Sequence, residues 1–116
     1  MLTLYGIASC DTCRRARKWL EQQGIEHRYH DLRDDGLDER TLVRWTGRMD
    51  WEKFINKRSL TWRHIPEVDR GTLDRQSAIA MLLEHPTLVK RPVLEGKTLI
   101  SVGYSRENYH RMFDSL

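Results

Sequence analysis

The sequence predicts an α/β fold: a mixed four-stranded sheet with helices packed over it and a helical insertion midway along the chain. Three observations predict it. Residues 2–32 read strand, helix, strand; residues 37–87 read as helices; the remainder from residue 92 reads strand, strand, helix. The first connection is long enough for the right-handed crossover that joins parallel strands, and the last two strands are close enough for an antiparallel hairpin.

Each element has its own signal. Leu2 to Ile7 alternates and carries Leu, Thr, Leu, Tyr and Ile, which suits a short strand. Ala8–Ser9–Cys10–Asp11 is a turn. A helix from about Thr12 to Gln23 follows, with Cys13, Ala16, Trp19 and Leu20 at helical spacing and Gly24 as its stop. Ile25 to Leu32 reads as a second strand, ended by the turn Asp34–Asp35–Gly36. Asp38 caps a helix through about Trp45, Trp51 to Asn56 begins another short one, and Lys57 to Arg63 reads as a loop. Asp74 caps a helix over Arg75 to Glu84 that buries Ala78, Ile79, Met81, Leu82 and Leu83, and His85–Pro86 ends it. Pro92 to Glu95 and Thr98 to Val102 flank Gly96–Lys97, a candidate two-residue hairpin loop. Ser105 starts a final helix whose apolar side is Tyr109, Met112, Phe113 and Leu116.

With 116 residues and no Gly/Ser-rich linker, the chain is expected to form one domain over 1–116, with the helical insert at about 37–87. That length buries roughly two thirds of the unfolded chain's surface, so folding does not require disulfide staples. The mixture of 32% charged and 39% hydrophobic residues is ordinary for a globular protein. The formal charge is +3, and the one dense basic run is Arg14, Arg15, Arg17 and Lys18. That run reads either as a solvated helix face or as a lure for a nearby anion or thiolate. No zinc finger or RNA-binding motif accompanies it, so direct nucleic-acid binding is not expected. The N-terminus lacks the marks of a signal peptide, and no run approaches the ~18 apolar residues of a membrane span. The cytoplasm is the expected compartment, and a monomer the expected state. In that compartment two neighbouring cysteines point to catalysis or metal rather than to a structural staple.

The pair Cys10–Asp11–Thr12–Cys13 stands between the first strand and the first turn of a helix. A helix N-terminus offers unpaired N–H groups and the positive end of the dipole, so a thiolate there is stabilised below the free thiol value of about 8.5. Cys10 precedes the helix, faces solvent and is the candidate nucleophile. Cys13, one turn on and more buried, is placed to attack a mixed disulfide at Cys10. Two inert buried cysteines are the plainer alternative. Zinc is a poorer one, because two thiolates supply half a shell, and His27 and His30, three apart on a strand, face opposite sides. Arg91, in Lys90–Arg91–Pro92–Val93, reads either as an ordinary strand entry or as an arginine reaching a substrate anion beside the cysteine turn.

These residues together resemble a known family. The start Leu-Tyr-Gly-Ile-x-x-Cys, the Arg-rich helix after it, the helical insert and the late Lys-Arg-Pro-Val-Leu are similar to the arsenate reductase-like (ArsC) family of the thioredoxin superfamily. Phe54–Ile55–Asn56–Lys57–Arg58–Ser59 followed by Trp62–Arg63 resembles its YffB and Spx/MgsR-related branch. The resemblance implies a thioredoxin-like fold, Cys10 as nucleophile, Arg91 as the arginine that binds an oxyanion or steadies the thiolate, and Pro92 as the cis-proline beside the active cysteine. Asn56, Arg58 and Arg14 join Pro92 as candidate substrate-binding residues.

The function implied is a thiol–disulfide oxidoreductase, specifically a glutathione-dependent thiol reductase, with glutathione or a protein disulfide as partner and no tightly bound cofactor. The Spx-like Cys-x-x-Cys implies an alternative, a redox-sensing regulator that binds RNA polymerase. Arsenate reduction is a third. The family's arsenate reductases use three arginines around the nucleophile, whereas this sequence has Asn56 at the first place, with Arg58 two residues on, and Ser101–Val102–Gly103 at the third. A tetrahedral oxyanion needs several donors to offset its desolvation, so that pocket is incomplete here.

Overall fold

Four strands form one sheet in the order β2-β1-β3-β4 in the computed structural model, which describes residues 1–114. β1 (Leu2–Gly6) pairs in parallel with β2 (His27–Asp31) and antiparallel with β3 (Val93–Glu95), which pairs antiparallel with β4 (Ile100–Val102). The parallel pair is joined through α1 (Asp11–Gln22), and α6 (Arg106–Asp114) follows the hairpin. A β-α-β unit and a β-β-α unit sharing one mixed sheet in this order make the fold thioredoxin-like. Two compact units result: Met1–Asp35 with the chain from Arg91 onward, and Gly36–Lys90.

The sheet unit is organised by its apolar stripe. Ala16, Trp19 and Leu20 on α1 recur at helical spacing and pack with Leu4 of β1, Leu94 of β3 and Tyr109 of α6. The Trp19 ring meets Tyr109 edge-on at 5.6 Å and Phe113 at 5.6 Å. Gly24 stops α1 in the left-handed region, φ +67°, where a side chain would be strained. Met112 and Phe113 line the same core; Leu116, also expected there, lies outside the described residues.

The hairpin differs by one residue from expectation. Glu95 pairs with Ile100, and the Gly96 N–H donates to the Leu99 carbonyl at 2.8 Å, so the tip is Lys97–Thr98 rather than Gly96–Lys97. Gly96 serves packing instead: a Cβ there would stand 2.7 Å from Leu2 Cδ2.

In the second unit, α2 (Glu39–Thr46) is capped by Asp38, which accepts from the Thr41 N–H, and a 3-10 turn spans Trp51–Phe54. The rings of Trp45 and Phe54 stack at 5.5 Å. α5 (Arg75–Glu84) starts in a capping box in which Asp74 and Ser77 satisfy each other's N–H groups. Arg75 ties its start to the end of α2 through Thr46 Oγ1 and the Val43 carbonyl. Ala78, Ile79 and Leu82 are buried, while Met81 and Leu83 are half-buried, a narrower apolar face than expected.

Two short helices stand in this unit where none was expected. α3 (Leu60–His64) lies in the stretch read as a loop, and α4 (Glu67–Gly71) follows it. Ser59 caps α3 by accepting from the Trp62 N–H. Neither helix buries a residue fully, so neither carries the apolar period that announces a helix in a sequence. No described helix is long and apolar enough to cross a membrane.

Candidate active site

β1 delivers the chain into the loop Ile7–Cys10, and α1 begins at the next residue. The Cys10 N–H donates to the Ile7 carbonyl at 3.0 Å, which closes the loop and leaves Cys10 as the N-cap in extended conformation. The loop is also held from β2. Asp31 accepts from the Ala8 N–H at 3.0 Å, and from the N–H groups of Arg33 at 2.8 Å and Asp34 at 3.0 Å. These donors hold its carboxyl below the ordinary value: the Asp34 N–H contributes most, burial opposes, and the Ala8 and Arg33 N–H groups add to the lowering.

The two cysteines are free thiols in unlike surroundings, Cys10 half-buried and Cys13 buried. Burial opposes ionisation of Cys10. The Cys13 backbone N–H, the Cys13 thiol, the Thr12 N–H and the Arg91 charge outweigh it, so Cys10 sits below its ordinary value. As a neutral thiol Cys10 makes no capping hydrogen bond of good geometry; the helix's first N–H groups favour its charged form. Cys13 goes the other way. Burial, the largest cause, pushes it up to about 12; the Ile7 N–H opposes, the neighbouring Cys10 raises it through its hydrogen bond and its charge, and the Arg91 charge opposes least. One thiol is thus prepared to be a thiolate, the other to keep its proton.

Arg91 stands at the entrance to β3, half-buried, and its charge favours the thiolate of both cysteines. The Arg91–Pro92 peptide bond is cis. Tyr5 pairs with Val93, so the register extended by one places Pro92 opposite Gly6, beside the end of β1 that leads to the cysteine loop. The Gly103 N–H donates to the Pro92 carbonyl at 2.8 Å. Arg14 lies on the exposed face of α1 and pairs with Asp11; with Arg15 and Lys18 they line a shallow groove of about 460 Å³.

Asn56 and Arg58 belong to the Gly36–Lys90 unit. The Asn56 side chain accepts from the Arg58 N–H at 3.1 Å, and the Asn56 N–H donates to the Leu88 carbonyl at 2.7 Å, so both residues shape the turn before α3. Among the described residues, no group of three or more His, Cys, Asp or Glu comes together in a metal-ligating arrangement.

Three residues that the sequence reading passed over belong to this site. Asp31 has a readable signal, an Asp ending a strand before a turn. Gly6 stands in the Leu-Tyr-Gly-Ile start without a role being readable there: a Cβ would stand 2.8 Å from Cys13 Sγ and 3.0 Å from Cys13 Cβ, a contact visible only in three dimensions. Tyr29, opposite Leu4 on β2, is the third. Its hydroxyl lies 3.7 Å from that same Cβ position, and the Arg17 guanidinium covers its ring at 4.0 Å.

The chain is similar to several known proteins. An uncharacterized protein of Haemophilus influenzae is 44% identical over 115 residues, covering 97% of this chain and 99% of that one. The global transcriptional regulator Spx of Listeria innocua is 31% identical, over 96% of this chain and 86% of that protein. Among solved structures, the protein named YffB superposes with a TM-score of 0.88 at 34% identity, covering 96% of this chain and 97% of that chain. An arsenate reductase (ArsC) related protein from Brucella melitensis superposes at 0.79 with 41% identity, over 97% and 93% of the two chains. The family model for the ArsC family matches residues 5–112, nearly the whole sequence, and the chain belongs to the ArsC family, with Spx regulators among its relatives.

Proposed function

We propose that the protein is a thiol–disulfide oxidoreductase that uses glutathione as its reductant. The observation that carries this reading is the split between two cysteines one helical turn apart: the half-buried N-cap thiol is lowered and the buried one raised. In the first step the Cys10 thiolate attacks one sulfur of a disulfide R–S–S–R′, forms Cys10–S–S–R and expels R′S⁻. In the second, the Cys13 sulfur attacks Cys10, its proton passes to the departing sulfur, and RSH leaves behind a Cys10–Cys13 disulfide. Two glutathione thiols then reduce that disulfide and leave as oxidised glutathione. Arg91, whose charge favours the thiolate, is assigned the further role of receiving a carboxylate of the substrate.

Trapping tests this directly. In the Cys13→Ser variant the second step is blocked, so protein incubated with oxidised glutathione should accumulate a mixed disulfide at Cys10, seen by intact-mass and peptide mass spectrometry. Absence of any adduct, with Cys10 alkylating no faster than a free cysteine at neutral pH, would reject the proposal.

The likeness to Spx favours a second reading: a regulator whose Cys10–Cys13 pair is the switch and RNA polymerase the partner. Polymerase recovered from lysate on immobilised protein in an oxidant-dependent way, without disulfide turnover, would select it. Arsenate reduction is the least supported of the three, because Asn56 and the segment Ser101–Val102–Gly103 stand where arginines are expected; arsenate turnover with glutathione and glutaredoxin would overturn that ranking.

A further inference from the structure

We propose that the Tyr29 hydroxyl donates a hydrogen bond to the Cys13 sulfur when that sulfur becomes anionic, and so sets the rate at which Cys13 resolves a mixed disulfide on Cys10. This rests on the oxidoreductase reading above.

The hydroxyl is buried and has no hydrogen-bond partner among the described residues. Leaving a buried donor unmatched is costly, and such groups in a folded protein call for a reason. Its location supplies one. Cys13 Sγ and the Tyr29 oxygen lie 2.8 and 3.7 Å from one point, the Cβ position of Gly6, so both come close to β1 where that residue has no side chain. The two groups also feel each other's charge: ionised Cys13 holds the Tyr29 proton on more tightly. Burial, the largest cause, raises Tyr29 in the same direction, with Asp31 adding and Arg17 opposing. The phenol therefore stays protonated at neutral pH and keeps an O–H to donate.

The resolving step needs such a donor. While Cys10 is a thiolate, its charge helps to keep Cys13 protonated. Once Cys10 is bonded to the substrate sulfur that charge is gone, and burial remains as the chief obstacle to a Cys13 thiolate. An O–H aimed at the developing anion offsets that obstacle with no net charge and no proton transfer of its own. The ring is held in place by its strand position opposite Leu4 and by the Arg17 guanidinium over its face.

A chromogenic aromatic disulfide mixed with the reduced protein tests the assignment. Attack by Cys10 releases one coloured thiolate, and resolution by Cys13 releases a second, so the absorbance rises in two phases. Tyr29→Phe removes only the oxygen. A hydrogen bond to a charged group that is worth about tenfold to a hundredfold in thiolate population should be lost. The higher pKa raises intrinsic nucleophilicity and returns about half of that on a logarithmic scale. The second phase is therefore expected to slow about three- to tenfold at neutral pH, and its pH midpoint to move up by about one unit or more. The first phase should be little changed. A merely structural role would not move that midpoint. A second phase with the same rate and midpoint in Tyr29→Phe overturns the assignment to Tyr29 alone, whereas a wild-type reaction with no second phase overturns the oxidoreductase reading beneath it.

Discussion

Gly6→Ala is the sharpest test of how the cysteine loop is packed, because two effects of opposite sign meet there. Gly6 sits in β1 without a positive φ, so alanine fits the backbone. Replacing glycine at a compatible position ordinarily stabilises by about 0.4–1 kcal/mol through the unfolded state. Against that stands the added methyl, 2.8 Å from Cys13 Sγ and 3.0 Å from Cys13 Cβ. Carbon makes unstrained contacts at about 3.5–4.0 Å, so α1 or the Cys13 side chain must retreat by about 0.7 Å. Cys13 is fully buried and has no solvent to retreat into. Overpacking of this kind costs about 1–3 kcal/mol, which outweighs the backbone gain and leaves a net loss of about 1–2 kcal/mol. Urea denaturation should show the midpoint fall at an unchanged slope. Adding Cys13→Ala removes the sulfur, the closer of the two clashing atoms, so the double variant should be more stable than the summed single effects by about 1 kcal/mol. A Gly6→Ala variant as stable as the parent, or single effects that add without coupling, would refute the packing argument.

Two further outcomes follow from the electrostatics of the loop. Arg91 favours the thiolate of both cysteines, so Arg91→Ala should raise the midpoint of Cys10 alkylation with pH and slow alkylation at pH 7; an unchanged profile would remove Arg91 from the site. Asp31 is held below the ordinary carboxyl value chiefly by the Asp34 N–H, against the opposing effect of burial. A depressed folded value means stability that is complete above the unfolded value of about 3.9 and is lost as pH falls through the folded one. Asp31→Ala should therefore cost about 1.5–3 kcal/mol at pH 7 and flatten the acid limb of the stability curve, as read by denaturation between pH 2 and 7.

Much of this was legible because local chemistry and tertiary role coincide. Asp74 followed three residues later by Ser77 marks a helix start whatever surrounds it, and Arg75–Glu84 begins and ends where the sequence indicates. The strand–turn–helix around Cys10 shows itself through alternation, then periodicity, then Gly24. The rest depended on neighbours distant in sequence. Leu60–His64 and Glu67–Gly71 have no buried residue to advertise them. The hairpin tip is set by the pairing of Glu95 with Ile100 and by the contact of Gly96 with Leu2, neither of which a turn dipeptide reveals. At the site, the cysteines were plain from spacing. Tyr29, on a strand of mixed character, gave no sign that its hydroxyl reaches the space beside Gly6, because that proximity exists only after β1 and β2 align.

That alignment has a consequence for how the chemistry could be lost without touching a cysteine. Leu4 faces Tyr29 and Gly6 faces Asp31 across the parallel ladder. A slip of one residue between the two strands would turn both side chains to the opposite face of the sheet. The helix start would survive, yet the loop would lose its carboxylate anchor and the buried thiol its hydroxyl neighbour. Reactivity of the pair is thus a property of correct strand pairing, and a chain could carry both thiols, and be helical where they stand, while remaining inert.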